Sequence, residues 1–308
     1  MRWSTAHRAI VVAIAGIPLL AGCTGGSTQP GPDDPAAGGS SPPATTATTP
    51  YQRYVALGDS FTAAPYVPST DLAEGCLRSN GNYPSLVAER LDIPTLVDVS
   101  CSGADTRDLT HPQNTFRDAV VPAQLDAVTP DTDLVTLGIG GNDFDLFATL
   151  LQTCIGVRGD DTTGRPCADY LQSTGTDLGR QIGRIGDRVA AALQEIQRRA
   201  PEAEVLLVGY PRIVPPEGAC PDLLPLAEGD YPLAERLSTQ LDRALRDAAE
   251  RTGVELVDMY TASRGHDVCS DQPWVNGQVT DEAAALAFHP FAAAMDAVAD
   301  RIVARLSQ

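Results

Sequence analysis

The chain has 308 residues, of which 43% are hydrophobic and 20% are charged, a globular balance that excludes wholesale disorder. Its 40 acidic and 22 basic side chains give a formal net charge of −18, and such an acidic surface repels phosphate backbones, so we expect no nucleic-acid partner. No apolar run reaches the roughly 18 residues of a conventional membrane-spanning helix, which excludes that class.

The N-terminus has the form of a secretory signal peptide. Arg2, His7 and Arg8 precede an apolar stretch over residues 9–20, whose helical length of about 18 Å is too short to span a bilayer. The following sequence, Leu-Ala-Gly-Cys at residues 20–23, resembles the lipobox of bacterial lipoproteins. That resemblance implies a signal peptide over residues 1–22 and lipid modification of Cys23, with two or more acyl chains for stable anchoring. The alternative is an ordinary secretory signal cleaved at a nearby small residue.

A low-complexity segment follows. Apart from Gln29, Asp33 and Asp34, residues 24–50 are all Gly, Pro, Ser, Thr or Ala, a composition that cannot bury a core. We therefore predict a lipidated Cys23 and disordered linker over residues 23–50 and a single folded domain over residues 51–308. We expect an exported monomer, held at the outer face of the cell membrane through a lipid anchor on Cys23, or secreted.

Six cysteines remain after Cys23, and an even number in an exported protein indicates three disulfides. Six cysteines allow 15 pairings. Pairing of sequence neighbours closes three separate loops: Cys76–Cys101, Cys154–Cys167 and Cys220–Cys269. The rival is a zinc site, but the sequence shows neither a C-x-x-C motif nor clustered histidines, so we expect no metal.

Strand-like runs alternate with helical patterns along the domain. Strands are predicted at residues 53–57, 95–99, 134–139, 204–208 and 254–257. Helices are predicted at residues 83–91, 122–128, 145–151, 169–200, 233–251 and 291–306, with glycines weakening the first half of the fourth. This alternation predicts an α/β fold with a parallel sheet covered on both faces. Because ligands bind beyond the carboxyl ends of such strands, motifs that follow strands are the candidates for chemistry.

Three polar or glycine-rich motifs follow predicted strands. Ser60, in Gly-Asp-Ser after the first strand, is a candidate nucleophile or part of a helix N-cap. Gly103, after the second strand, offers either an approachable main-chain amide or only a turn. Asn142, in Gly-Gly-Asn-Asp after the third strand, offers a neutral donor for an oxyanion or a polar turn.

A histidine precedes the last predicted helix. The chain after Cys23 has three histidines, His111, His266 and His289, and a histidine suits general-base work on a serine. Pro290 fixes the backbone where the final helix begins. His111 and His266 lie in predicted loops and are as readily explained as exposed side chains.

Together these motifs resemble the SGNH hydrolases, also called the GDSL esterase/lipase family, from about Tyr54 to the C-terminus. The resemblance implies a three-layer α/β/α sandwich with a flavodoxin-like five-stranded parallel sheet, and ester hydrolysis without metal or cofactor. It assigns Ser60 as nucleophile, His289 as general base, and the oxyanion hole to Ser60, Gly103 and Asn142. The three disulfides also look like those of secreted actinobacterial members.

One position departs from the family pattern. The family places an aspartate three residues before the histidine, where this chain has Leu286, and a leucine side chain accepts no hydrogen bond. We expect a main-chain carbonyl near Leu286 to bind His289 Nδ1 and leave a Ser–His dyad. The alternative is that Asp281 folds back into the site and completes a triad.

The substrate is less well defined by the sequence. Aromatic residues make up only 5% of the chain, so no rich hydrophobic sheath is evident. Loops over residues 65–81, 154–167 and 214–231 are candidates to shape the pocket. Their apolar side chains either contact an acyl chain or simply pack within the loops: Tyr66, Leu72, Leu77, Ile155, Leu223, Leu224 and Leu226. Lipids, short-chain esters and acylated polysaccharides all remain open as substrates. The alternative to an enzyme is a surface lipoprotein that only binds its ligand, on an inactive hydrolase scaffold.

Overall fold

A five-stranded parallel sheet forms the centre of the structure, a computed structural model that describes residues 50–307. Its strands are β1 (Arg53–Gly58), β2 (Thr95–Asp98), β3 (Leu134–Gly138), β4 (Glu204–Val208) and β5 (Glu255–Val257). Their spatial order, β2-β1-β3-β4-β5, is that of flavodoxin-like sheets. The predicted fold class is confirmed. The signal peptide, the lipobox and nearly all of the linker lie outside the described residues.

The helices cover the two faces of this sheet. In chain order they are α1 (Ser60–Ala63), α2 (Tyr83–Arg90), α3 (Pro166–Thr174), α4 (Leu178–Arg199), α5 (Tyr231–Thr252), α6 (Met259–Ala262) and α7 (Ala292–Leu306). A composite helix between α2 and α3 consists of Leu146–Ala148, a π-helical turn at Thr149–Thr153, and Cys154–Val157. Short 3-10 turns lie at Gln124–Ala127, Asp143–Asp145, Arg158–Asp160 and Glu228–Asp230.

Alternate strand residues face opposite helix layers. On one face, Tyr54 of β1 packs in a buried cluster with Val87 of α2 and Met295 of α7. On the other, Val55 belongs to a cluster with residues of α4 and α5, including Ile185. Because both faces are covered, the three central strands β1, β3 and β4 are nearly continuous buried runs rather than alternating ones. The observed architecture is therefore the predicted three-layer sandwich.

Three predicted helices differ from the observed ones. The helix predicted at residues 145–151 is the composite helix, which begins at Leu146 and continues through the π-helical turn to Val157. The long helix expected over residues 169–200 is two helices, because Gly175 adopts a left-handed φ of +68° and ends α3. Asp177 then caps α4, its carboxylate accepting a hydrogen bond from the Arg180 amide at 2.9 Å. The helix expected over residues 122–128 is only the 3-10 turn at Gln124–Ala127. There the Gln124 side chain accepts from the Gly58 amide at 2.8 Å and donates to the Gly58 carbonyl at 2.9 Å.

The three disulfides are present as Cys76–Cys101, Cys154–Cys167 and Cys220–Cys269. They indicate an oxidising compartment and support export. Beside the first lies a short antiparallel hairpin, Gln113–Asn114 with Val120–Val121, which the sequence did not predict. Within residues 50–307, none of the helices combines the length and apolar character needed to cross a membrane.

Candidate active site

Ser60 lies where β1 gives way to α1. A Cβ at Gly58 would meet the Gly138 carbonyl oxygen at 2.6 Å, so the strand exit requires glycine. Asp59, not Ser60, caps the helix, since its Oδ1 accepts a hydrogen bond from the Phe61 amide at 2.9 Å. The serine side chain is therefore not used in capping, and its Oγ lies 2.7 Å from Nε2 of His289.

His289 lies just before α7, and a main-chain group orients its ring. Nδ1 lies 2.7 Å from the carbonyl oxygen of Ala287. This corrects the Leu286 main-chain prediction by one residue, because the Leu286 carbonyl instead accepts from the main-chain amide of His289 at 3.1 Å. Phe288, which lies between Ala287 and His289 in the chain, has a left-handed φ of +59°. The orienting group is thus a peptide carbonyl of the turn itself.

Asp281 takes no part in this arrangement. Its Oδ1 accepts a hydrogen bond from the Ala283 amide at 2.9 Å, and its main chain pairs with Ala285. The carboxylate is therefore used to cap its own turn, and the structure does not bring it to His289.

The protonation of His289 follows from its surroundings. Burial lowers the pKa of the imidazole below 6.5, and the bond to the Ala287 carbonyl opposes that effect only in part. Because a carbonyl can only accept, the ring proton sits on Nδ1, which leaves Nε2 with a free lone pair. The neutral ring is thus arranged to accept the proton of the Ser60 hydroxyl.

Three residues that line the same cleft, Ser60, Gly103 and Asn142, carry hydrogen-bond donors. Beyond β2, the Cys101 amide still bonds to the Gly58 carbonyl at 3.0 Å, so the chain stays beside β1 as far as Gly103, whose φ is +82°. Among the described residues, the main-chain N–H groups of Ser60 and Gly103 have no internal acceptor. The Asn142 amide nitrogen donates to the Ala104 carbonyl at 2.9 Å, which holds the side chain and leaves its second hydrogen available.

These groups line one cleft of about 410 Å³. Its wall is formed by Ser60, Phe61, Ser102, Gly103, Phe116, Asn142, Phe147, Ala148, Leu151, Gln152, Leu286, Ala287, Phe288 and His289. Four of the six phenylalanines of the chain stand in this wall. The expectation that low aromatic content leaves no hydrophobic sheath was wrong, because the few rings are concentrated here.

The apolar loop residues that the sequence left open as either loop packing or acyl contacts do not form this wall. Leu224 and Leu226 are buried in the main core, whereas Leu72 and Leu223 are exposed at the surface. Phe116, which the sequence analysis missed, lies at the tip of the hairpin and is 71% exposed. Its Cζ lies 3.4 Å from where a Cβ of Gly103 would stand. A phenylalanine in an otherwise polar loop was the available signal.

Buried polar residues brace the two motif turns. Asp143 accepts hydrogen bonds from the Thr106 amide at 3.0 Å and hydroxyl at 2.5 Å, and pairs with Arg188 at 2.8 Å. Asp59 accepts a hydrogen bond from the Tyr210 hydroxyl, and burial raises the pKa of its carboxyl to about 7. The sequence offered only the adjacency of these aspartates to Asn142 and Ser60.

The other candidate residues lie away from the cleft. His111 bonds locally to Thr110, and His266 stacks on Trp274 at a ring distance of 4.5 Å. Over the described part of the chain, no group of three or more His, Cys, Asp or Glu side chains is arranged to hold a metal ion.

Comparison with known proteins gives consistent matches. The sequence pattern of the GDSL-like Lipase/Acylhydrolase family matches residues 56–297. Lipase 2 of Streptomyces coelicolor is 40% identical over 232 residues, which cover 73% of this chain and 76% of that protein. A lipase of Streptomyces rimosus is 32% identical over 227 residues, or 72% of this chain and 75% of that protein.

Two solved structures of Streptomyces enzymes have a similar fold. The phospholipase A1 of Streptomyces albidoflavus NA297 superimposes with a TM-score of 0.67 at 25% identity, over 82% of this chain and 99% of that one. The extracellular lipase of Streptomyces rimosus gives 0.67 at 26% identity, with the same two coverages.

Proposed function

From the premise that this chain belongs to the GDSL-like lipase/acylhydrolase family and is a carboxylic ester hydrolase, we propose that it acts through an acyl-enzyme on Ser60. The observation that carries the proposal is the 2.7 Å contact of Ser60 Oγ with Nε2 of His289, at the wall of an apolar cleft. A hydroxyl paired with a neutral imidazole is an activated nucleophile. The same contact argues against a scaffold that only binds.

In the first half-reaction, His289 Nε2 takes the hydroxyl proton as Ser60 Oγ bonds to the ester carbonyl carbon. The carbonyl electron pair moves onto oxygen, and the oxyanion accepts hydrogen bonds from the Ser60 and Gly103 amides and the Asn142 side chain. The tetrahedral intermediate then collapses, the carbon–oxygen bond to the alcohol breaks, and His289 protonates the leaving oxygen. Water repeats these steps on the acyl-enzyme and releases the acid.

The imidazolium formed in each step is oriented by the Ala287 carbonyl rather than by a carboxylate. The 2.7 Å bond from Nδ1 fixes the ring and its tautomer, which is the principal structural task of the third member of a triad. We therefore infer a Ser–His dyad supported by a main-chain dipole.

The cleft favours an acyl group with apolar bulk. The rings of Phe61 and Phe147 lie 5.7 Å apart, and Phe116 and Phe288 complete an apolar lining. Such a surface gains from contact with a hydrocarbon chain. Lipid or other fatty acyl esters thus fit this site better than acetyl groups of a polysaccharide.

The location of the enzyme is a second part of the proposal. We infer export under the signal at residues 1–22, anchoring at Cys23, and a tether over residues 23–50 that carries the monomeric domain. Replacement of Cys23 by Ser should abolish incorporation of labelled fatty acid into the protein in a bacterial host. Incorporation into the variant at the wild-type level would contradict the anchor.

The direct test is Ser60→Ala, with Ser173→Ala as a control, since Ser173 lies on the exposed side of α3 and bonds only to the Tyr170 carbonyl. Ser60→Ala should lose about 10⁴-fold or more in turnover of a p-nitrophenyl acyl ester, and should no longer be labelled by a fluorophosphonate. The control should keep both properties. Full turnover by Ser60→Ala would refute the proposal.

A further inference from the structure

Tyr210 lies beneath the active-site cleft, two residues beyond the end of β4. The residue is 8% exposed and is not part of the cleft wall. Its hydroxyl makes two hydrogen bonds: it donates to the Asp59 carboxylate and accepts from the Gly141 amide at 2.8 Å. One oxygen atom therefore joins the turn after β1 to the turn after β3.

The two partners each precede a residue of the proposed machinery. Asp59 is followed by Ser60, and its other oxygen bonds to the Phe61 amide at 2.9 Å. Gly141 is followed by Asn142. A shift at the hydroxyl would thus be passed directly to the nucleophile on one side and to the side-chain oxyanion donor on the other.

The ring of Tyr210 has a separate role. It packs edge-on against Phe61 and against Phe147, with ring centroids 5.1 Å apart in both cases. Both neighbours stand in the cleft wall, and such edge-on pairs are favourable. Removal of the hydroxyl alone leaves this packing in place, so the two roles can be separated by mutation.

We propose that Tyr210 is a positioning residue, whose hydroxyl holds the Ser60 turn and the Asn142 turn at the separation that transition-state binding requires. The inference rests on the proposed function of Ser60 and Asn142. Without the hydroxyl, the Asp59 carboxylate oxygen and the Gly141 N–H lose their shared partner in a buried site and the two turns move relative to each other. Small misplacements of this kind reduce catalysis more than they reduce substrate binding.

The control variant comes from Tyr231, whose buried hydroxyl also makes two hydrogen bonds, in this case both with main-chain groups. It accepts from the Cys220 amide at 3.1 Å and donates to the Leu224 carbonyl, and neither partner lines the cleft. Tyr231→Phe therefore loses the same number of hydrogen bonds as Tyr210→Phe without touching the site. The concentration of active sites is counted by fluorophosphonate labelling and used to calculate kcat. The kcat of each variant then refers only to its folded molecules.

We expect Tyr210→Phe to reduce kcat for a p-nitrophenyl ester by about 10- to 100-fold with little change in KM, while Tyr231→Phe keeps kcat near the wild-type value. In the double variant Tyr210→Phe/Asn142→Ala, the two losses should not multiply, because the hydroxyl acts in part through Asn142. Equal kcat in Tyr210→Phe and Tyr231→Phe, or losses that multiply fully, would overturn the inference.

Failure of the inference is distinguishable from failure of the proposed function. Turnover by Ser60→Ala would remove the acyl-enzyme mechanism itself. If Ser60→Ala and Asn142→Ala are impaired while Tyr210→Phe behaves like the control, only the positioning role is lost.

Discussion

Nε2 of His289 lies 2.7 Å from Oγ of Ser60, although 229 positions separate the two residues in the chain. Ser60 lies just after β1, and His289 precedes α7, the helix that packs on α2 across one face of the sheet. Packing of the C-terminal helix on α2 therefore helps to bring the two side chains together.

We predict that Asp281→Asn leaves kcat essentially unchanged. Its carboxylate caps a local turn through the Ala283 amide, and an asparagine side-chain oxygen can do the same. Initial rates with a p-nitrophenyl ester are the measurement, with His289→Ala as the variant that must lose activity. A loss of orders of magnitude in Asp281→Asn would restore a Ser–His–Asp triad.

The acid side of the pH profile should reflect the lowered pKa of His289. The reactive form is the neutral ring, so kcat/KM should fall as pH drops through the pKa of this histidine. Since burial lowers that pKa, the midpoint should lie below pH 6.5, and activity should persist at a more acidic pH than an unperturbed histidine allows. A midpoint above 6.5 in stopped assays from pH 4 to 9 would contradict the assignment.

Asn142→Ala should lower kcat by about 10²- to 10³-fold, equivalent to about 2.7–4 kcal/mol, the usual cost of one oxyanion donor. The matched control is Asn80→Ala, because Asn80 accepts from the Ser69 amide in an exposed loop. Steady-state rates of the two variants, with KM compared, provide the check. Comparable kcat in both would place the oxyanion donors elsewhere.

Phe116→Ala should change the preference of the enzyme for acyl-chain length and not its ability to hydrolyse esters in general. The ring is largely exposed yet stands in the cleft wall over Gly103, so it offers apolar contact to a bound chain. Relative to the wild type, kcat/KM of the variant should be little changed for acetyl esters and should be reduced progressively more as the acyl chain lengthens to decanoyl. The reason is that the lost contact area grows with chain length.

The control for that series is Val120→Ala, on the same hairpin and 66% exposed but outside the cleft wall. Its profile should follow the wild type at every chain length. A uniform loss across the series in Phe116→Ala would indicate disturbance of Gly103 instead of an acyl contact.

Sequence periodicity and the positions of the motifs were sufficient to predict the strands of the sheet. The central strands are largely apolar runs, and β4 has the predicted bounds because Pro201 and Gly209 flank a short Val-Leu-rich segment. Placing motifs after strands predicted which turns would converge, since parallel strands end at one edge. The break at Gly175 was harder to foresee, because glycine is also tolerated within helices.

Sequence motifs named Ser60, Gly103, Asn142 and His289 as candidates, but the residues that support and line the site were less accessible from sequence. The bond between Tyr210 and Asp59 joins residues 151 positions apart and has no periodic pattern to reveal it. Phe116 stands on a hairpin that hydrogen bonds from Gln113 and Thr115 tie to the carbonyls of Ser102 and Glu74. Such contacts depend on loop paths, which local propensity does not define.

The carbonyl that orients His289 belongs to the peptide link after Ala287, not to a side chain. A single codon change at position 287 therefore leaves that acceptor in place, unlike an aspartate, which one nucleotide substitution can erase. The orienting function is encoded in the path of the backbone, so it tolerates mutational drift in residue identity but not insertions or deletions between the turn and α7.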